Sequence, residues 1–291
     1  MSRIKLIVTG DMEAKSLAMS LQSQFPSQKN GDMVIWERAR KLNCTTSHPL
    51  RRESDKPSQP MLSLARAMIR EVIDGKQGTP ADLVIVIDDV ELGNLGQEDV
   101  IAKHFCLAVE AELEELKLSA TTLDRYKGII RERCSFHVLK PMAEAYFFSD
   151  IQILKAMGVT DNPLLRHATN VEDFEITDST WLPECHLQNQ TQAKNDREWW
   201  RHEMHPKHYI NHLITRSGSS GYDETMQGAQ ALQALNWKNV PKIETDSLFI
   251  RALFEDLADW FEIRSPIVGN TASAFYPTPR TRRPDLTLRN M

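Results

Sequence analysis

Cysteine is scarce: four thiols in 291 residues, Cys44, Cys106, Cys134 and Cys185, with no CxxC pair among them. That spacing signals neither a disulfide framework nor a thiolate zinc site. Long apolar runs are missing too. The longest, such as LVIVI at residues 83–87, are far too short to cross a bilayer. No GxxxxGKS/T occurs, which argues against an ATPase role for this chain. No secretory leader is read either, because Met1 passes through Arg3 and Lys5 directly into a short strand-like run, so a cytoplasmic protein is expected. Neither sign of charge dominates. With 35 basic and 40 acidic residues the net is −5, which excludes a surface that grips nucleic acid all over. Hydrophobic residues at 41% and charged residues at 26% are ordinary globular values, and the length supplies a core without staples.

Charge is unevenly spread. Residues 264–291 carry five arginines (Arg264, Arg280, Arg282, Arg283, Arg289) against the single acid Asp285, together with Pro266, Pro277, Pro279 and Pro284. This composition predicts an extended, flexible arm, whose Arg280, Arg282 and Arg283 either clamp phosphate or an acidic partner or lie idle in solvent.

Upstream, strand and helix patterns alternate. Residues 4–9 form a β-branched run that stops at Gly10, and residues 14–25 carry Leu17, Leu21 and Phe25 at helical spacing. Residues 32–37 read as a second short strand, 41–60 as a loop and 61–73 as a helix ended by Gly75 and Gly78. Residues 81–87 are apolar apart from Asp82, as in a strand buried on both faces, and lead into Asp88 and Asp89. A helix over 99–116 turns Val109, Leu113 and Leu116 inward and Glu110, Glu112, Glu114 and Glu115 mostly outward. A strand at 134–139 and a helix at 142–157 follow. This order implies right-handed βαβ units and a mostly parallel, Rossmann-like sheet. Beyond residue 160 the pattern changes to an irregular stretch at 162–195 and helices at 207–214, 225–235 and 247–262. The expected organisation is an α/β domain over 1–160, a helical C-terminal part over 161–263 and a basic, Pro-rich flexible tail over 264–291.

Ligands gather at the carboxyl ends of strands in such a sheet. Two acidic groups occupy that position: Gly10, Asp11 and Glu13 after the first strand, and Asp88, Asp89 and Glu91 after the buried one. If the strands are neighbours the carboxylates converge, and a hard cation such as Mg²⁺ offsets their repulsion; the competing role is helix capping by Asp11 or Asp99. His202, His205, His208 and His212 lie within eleven residues. His208 and His212, at i and i+4, suit zinc, phosphate or a wet helix face. Trp199 and Trp200 beside Arg197 and Arg201 suit a partner anchor or a single-strand platform.

VTGDMEAKSL (residues 8–17), VIVIDDVEL (84–92) and PMAEAYFFSD (141–150) resemble the TOPRIM-like domain, the topoisomerase–primase fold. They are most similar to an uncharacterised branch found beside ATPases in bacterial antiphage systems. HPKHYINHL (205–213), GYDETMQGAQAL (221–232) and LFIRALFEDLADWF (248–261) resemble the C-terminal part of that branch, so the likeness runs over residues 4–261. The resemblance implies an Mg²⁺- or Mn²⁺-dependent nuclease that cuts RNA or DNA as a defence effector beside a partner ATPase. In it Asp88, Asp89 and Glu91 hold the metal, Glu13 does acid–base work with Asp11 as substitute, and Glu144 matches the helix acid. Lys207 and His208 join the three tail arginines as candidate nucleic-acid or partner contacts. One departure matters: Thr9 stands where the family pattern VEGxxE has its first acid, and a threonine hydroxyl is no base near neutral pH. That departure favours the alternative of a catalytically degenerate module that binds a partner ATPase or nucleic acid.

Overall fold

The computed structural model describes residues 1–52, 54, 56–75, 78–193, 204–241, 246–267 and 275–291, the side chains of 188–193 excepted. Its sheet is built on β1 (Ser2–Val8), β5 (Leu83–Asp89) and β6 (Cys134–Leu139), which pair in parallel in that order. On the other side of β1 lie β3 (Asp32–Trp36), beside its first half, and β4 (Arg40–Lys41), beside its end. The short β2 (Gln28–Lys29) turns back antiparallel onto β3 through Asn30 and Gly31, both at positive φ as a tight hairpin needs.

The apolar run becomes a strand because both of its faces find cover. Leu83, Ile85 and Ile87 enter one core, and Val84 and Val86 enter the other. The second core is covered by α2 (Gln59–Ile73), α3 (Glu98–Glu115) and α4 (Ala120–Arg133). Ser58 caps α2 by accepting from the Met61 amide at 3.3 Å. The first core lies under α1 (Asp11–Gln22), α5 (Ile151–Ala156), α7 (Pro206–Arg216), α8 (Ala229–Ala234) and α9 (Leu248–Phe261), and it also takes Trp181 and Cys185 around the start of α6 (Leu182–Ala193). The C-terminal helices therefore complete one face of the sheet, and the core runs across the boundary expected at residue 160.

The mostly parallel α/β sheet agrees with the expectation, and no described helix is long and apolar enough to cross a membrane. Several details differ. Helix α4 has no strong apolar stripe and buries only Ile130 among its residues, so its periodicity gives little signal. The helix expected over 142–157 is a 3₁₀ segment, Ala143–Ser149, followed by α5, with Asp150 capping the new start by accepting from the Gln152 amide at 3.0 Å. In α3, Leu116 stays 47% exposed, whereas Glu112 turns inward and takes a two-bond grip from Arg66 at 2.6 and 2.8 Å.

The tail departs most from expectation. Residues 275–291 are not a free arm: they run along the outer edge of β6. The Arg289 amide donates to the Cys134 carbonyl at 2.9 Å, and the Asn290 side chain accepts from the Phe136 amide at 3.3 Å and donates to its carbonyl at 2.7 Å. A sheet edge is thereby closed. Arg283 is fully buried against Asp259 at 2.5 Å, which removes it from the expected phosphate-clamping set; only Arg280 and Arg282 remain at the surface.

Candidate functional site

Val8 lies opposite Ile87, so β1 and β5 end on the same rim. After β1, Gly10 enters α1, and Glu13 sits in the first helical turn, where the helix dipole favours an acid. The Glu13 carboxylate folds back over Gly10: a methyl group there would lie 1.7 Å from Glu13 Oε2. Glu13 is only 4% exposed, and its Oε2 has no hydrogen-bond partner. A buried carboxylate oxygen left in that state is costly unless something else satisfies it.

Side-chain alternation along β5 separates the two aspartates. Ile85 and Ile87 face the α1 side, so Asp89 joins that side, while Asp88 continues the Val84–Val86 face. Asp88 is then saturated. Its Oδ1 accepts from the Thr9 hydroxyl at 2.5 Å and the Asp89 amide at 3.0 Å, and its Oδ2 accepts from the Thr45 amide at 3.1 Å and from the Thr45 hydroxyl. Asp88 therefore ties β1 and the loop at Thr45 to β5, which corrects the expectation of an open metal-holding carboxylate. Burial still pushes its pKa up, against the pull of these donors. Thr9 takes no proton; it is one of these ties.

Asp89 Oδ1 accepts from the Ala143 amide at 3.2 Å, which links it to the turn carrying the buried Glu144. Glu91 hangs from a residue at φ 61°, ψ 154°, backbone that suits glycine, and its amide donates to the Pro141 carbonyl at 2.9 Å. The C-terminal part adds Lys207, in the first turn of α7, and Glu224, in a π-helical turn over Glu224–Gly228; the two form an ion pair. Turns of this type recur at functional sites.

These groups feel one another. Burial first, and then the Glu144 charge, push Glu13 up to about 8. Burial and the charges of Asp88 and Glu144 raise Glu91 to about 7, and burial, helped by the Glu224 charge, outweighs Lys207 to bring Glu144 to about 7. Asp89 is raised well above the ordinary carboxyl range by burial and by Glu13, Glu91 and Glu144. Burial disfavours the Lys207 charge, but Glu224, Glu144 and Glu91 outweigh it and hold its pKa high. The donor set is all oxygen, which suits a hard divalent ion, and the bare Oε2 of Glu13 is an atom such an ion would satisfy. Among the described residues, no three His, Cys, Asp or Glu side chains close on a single point. Lys207 makes its direct contact with Glu224, and its charge acts on Glu13, Glu91 and Glu144.

Other expected residues lie elsewhere. Asp11 is exposed and pairs with Lys41 at 2.5 Å. His208 stacks on His205 with ring centroids 3.8 Å apart, while His212 Nδ1 lies 3.3 Å from Glu184 Oε2, so the i, i+4 pair serves two different neighbours. Arg197, Trp199, Trp200, Arg201 and His202 lie outside the described residues. Thr45 and Glu224 escaped sequence reasoning: each reaches the rim from a distant segment, and no local spacing announces it. Comparison of the chain with protein-family models, with curated proteins and with solved structures gave no match.

Proposed function

We propose that the rim formed by Glu13, Asp89, Glu91 and Glu144 is a divalent-cation site for phosphodiester hydrolysis of RNA or DNA. The observation that carries this reading is the gathering of four carboxylates beyond the ends of three neighbouring parallel strands, β1, β5 and β6, with a buried Glu13 oxygen left without a partner. Asp89 and Glu91 would hold Mg²⁺ or Mn²⁺, with Glu144 beside them. When bound, the ion supplies charge neutralisation at phosphoryl oxygens and an activated water.

The chain's own residues supply the rest. In the ion-free rim Glu13, at about 8, keeps its proton at neutral pH, and as a buried carboxyl it would serve to hand a proton to the leaving oxygen. Burial of Glu13 and Glu144 excludes bulk water from the proton that moves. Lys207, whose charge acts on Glu91 and Glu144, would meet a substrate phosphate. Labelled tRNA, single-stranded DNA and duplex DNA incubated with Mg²⁺, Mn²⁺ or EDTA test the proposal. Cutting that needs the divalent ion and disappears in Asp89→Asn supports it.

The second reading, a non-catalytic module for a partner ATPase or nucleic acid, is favoured by Thr9, which stands in the place of an acid and is spent on Asp88. Binding without cutting, with partner ATPase present, selects that reading. The effector role in antiphage defence belongs to the same proposal and rests on the family resemblance. Phage plating on cells expressing the wild-type chain or Asp89→Asn checks it.

A further inference from the structure

Lys207 pairs with Glu224, and its charge also acts on Glu13, Glu91 and Glu144; α7 packs on the turn that carries Glu144, and the π turn that carries Glu224 packs on α1, which carries Glu13. Lys207 comes from α7, in the C-terminal part, whereas Glu13, Glu91 and Glu144 come from segments flanking β1, β5 and β6. Lys207 is half-buried, so some of its hydration has been given up for these carboxylates. Its firm partner is Glu224, on a turn already widened to π geometry. Glu13 Oε2 remains bare even with the lysine present.

We propose that Lys207 is the resident counter-ion of the acidic rim, that its ammonium and a divalent cation compete for the same carboxylates, and that Glu224 holds Lys207 aside when the divalent ion enters. This rests on the divalent-site reading above. A single charge cannot balance four acids, so a divalent ion is the stronger claimant once Lys207 yields. The pair thus acts as a built-in gate: Lys207 offsets part of the rim's charge at low cation concentration, and the rim opens to the divalent ion by moving one side chain between carboxylates.

The two partners of a merely structural ion pair should behave alike when removed. Here they should not. Calorimetric titration of the full chain with Mn²⁺ and Ca²⁺ compares wild type, Lys207→Met and Glu224→Gln, with Lys207→Gln as a second lysine variant should the first fold poorly. Lys15→Met is the control, because Lys15 donates to the Thr225 carbonyl of the same π turn at 3.1 Å. Lys207→Met should tighten divalent binding about tenfold, as loss of one nearby like charge predicts. Glu224→Gln should weaken it, since Lys207 then falls back on the remaining acids, and Lys15→Met should change it less than about threefold. Equal or weaker binding in both lysine variants, or shifts of the same sign in Lys207→Met and Glu224→Gln, overturns the competition while leaving the divalent site intact. Absence of divalent binding in every protein, the lysine variants included, overturns the divalent-site reading itself.

Discussion

Two regions of the molecule gather carboxylates that are buried or half-buried and treat them in opposite ways. Beside β6, Asp256 is fully buried, yet it receives Arg289 Nε at 2.9 Å and His137 Nε2 at 3.1 Å, and Asp259 receives Arg289 at 2.8 Å and Arg283 at 2.5 Å. Burial works against the Asp256 charge, but Arg289 and His137 outweigh it and hold its pKa far below the usual range. At the rim of β1, β5 and β6, Glu13, Asp89, Glu91 and Glu144 receive no such guanidinium among the described residues and are pushed upward instead. A region selected only for stability matches its buried charges. One that leaves them unmatched holds free energy that a ligand can release, which is the reason for reading the rim as functional.

The contrast can be broken in several places. Arg289→Met leaves Asp256 buried without its guanidinium and should destabilise the fold by about 3–5 kcal/mol in urea unfolding. A loss below about 1 kcal/mol would mean that this region is no better matched than the rim. The pH response should also divide the two. Glu13, Glu91 and Glu144 have folded pKa values of about 8, 7 and 7 against an ordinary 4.5. The folded state therefore binds more protons than the unfolded chain between those limits. Their contribution is fully present below about 4.5 and is lost as pH rises through 7 to 8, so the ion-free protein should lose stability steadily between pH 5 and pH 8. Asp256 has the opposite sign: its contribution is present above its ordinary value of 3.8 and fades only as the pH falls below it. Added Mn²⁺ should flatten the slope between pH 5 and 8 and leave the acid limb unchanged; thermal melts across pH with and without the ion read both effects.

Substitutions at the rim sharpen the comparison with smaller effects. Glu144→Gln should stabilise the ion-free protein at pH 8 by about 1 kcal/mol while abolishing divalent-dependent cutting, because it removes a charge that nothing matches. Glu91→Gly should gain about 1 kcal/mol by relieving positive-φ strain, again with loss of the ion. Destabilisation by both would assign these acids a structural role. Arg280→Ala and Arg282→Ala, exposed on the packed tail, should change stability by less than about 0.5 kcal/mol, and filter binding of labelled RNA would show whether they touch a polyanion.

Much of the β/α order is legible in the chain, because alternating strand and helix periods report which faces are buried. The apolar run ahead of Asp88, the helix-period residues of α2 and the β-branched start of β1 each pointed to the correct element. Helix α4 did not, since it lies on the surface and buries Ile130 alone among its residues. Part of the rim was also legible: Glu13, Asp89 and Glu91 sit at strand ends, where this architecture gathers ligands, while Glu144 was marked only by the family resemblance. The exclusion of Asp88 follows from period-two alternation once the strand is placed, but the threonine donors that saturate it arrive from elsewhere. The start of α9 makes the same point. Ser247 gives no side-chain cap, and the helix is capped by Glu172, which accepts from the amides of Phe249 at 3.0 Å and Ile250 at 2.9 Å.

Composition and periodicity by themselves determined a mostly parallel α/β sheet with acids at two strand ends, because those signals arise between residues within a turn or two of each other. The tertiary structure alone decided that the arginine-rich tail is a strap rather than an arm, and that Lys207 and Glu224 belong with Glu13. The reason is physical: whether a charge is matched depends on which groups share its low-dielectric surroundings, and for Lys207 and Glu13 those groups lie almost two hundred residues apart along the chain.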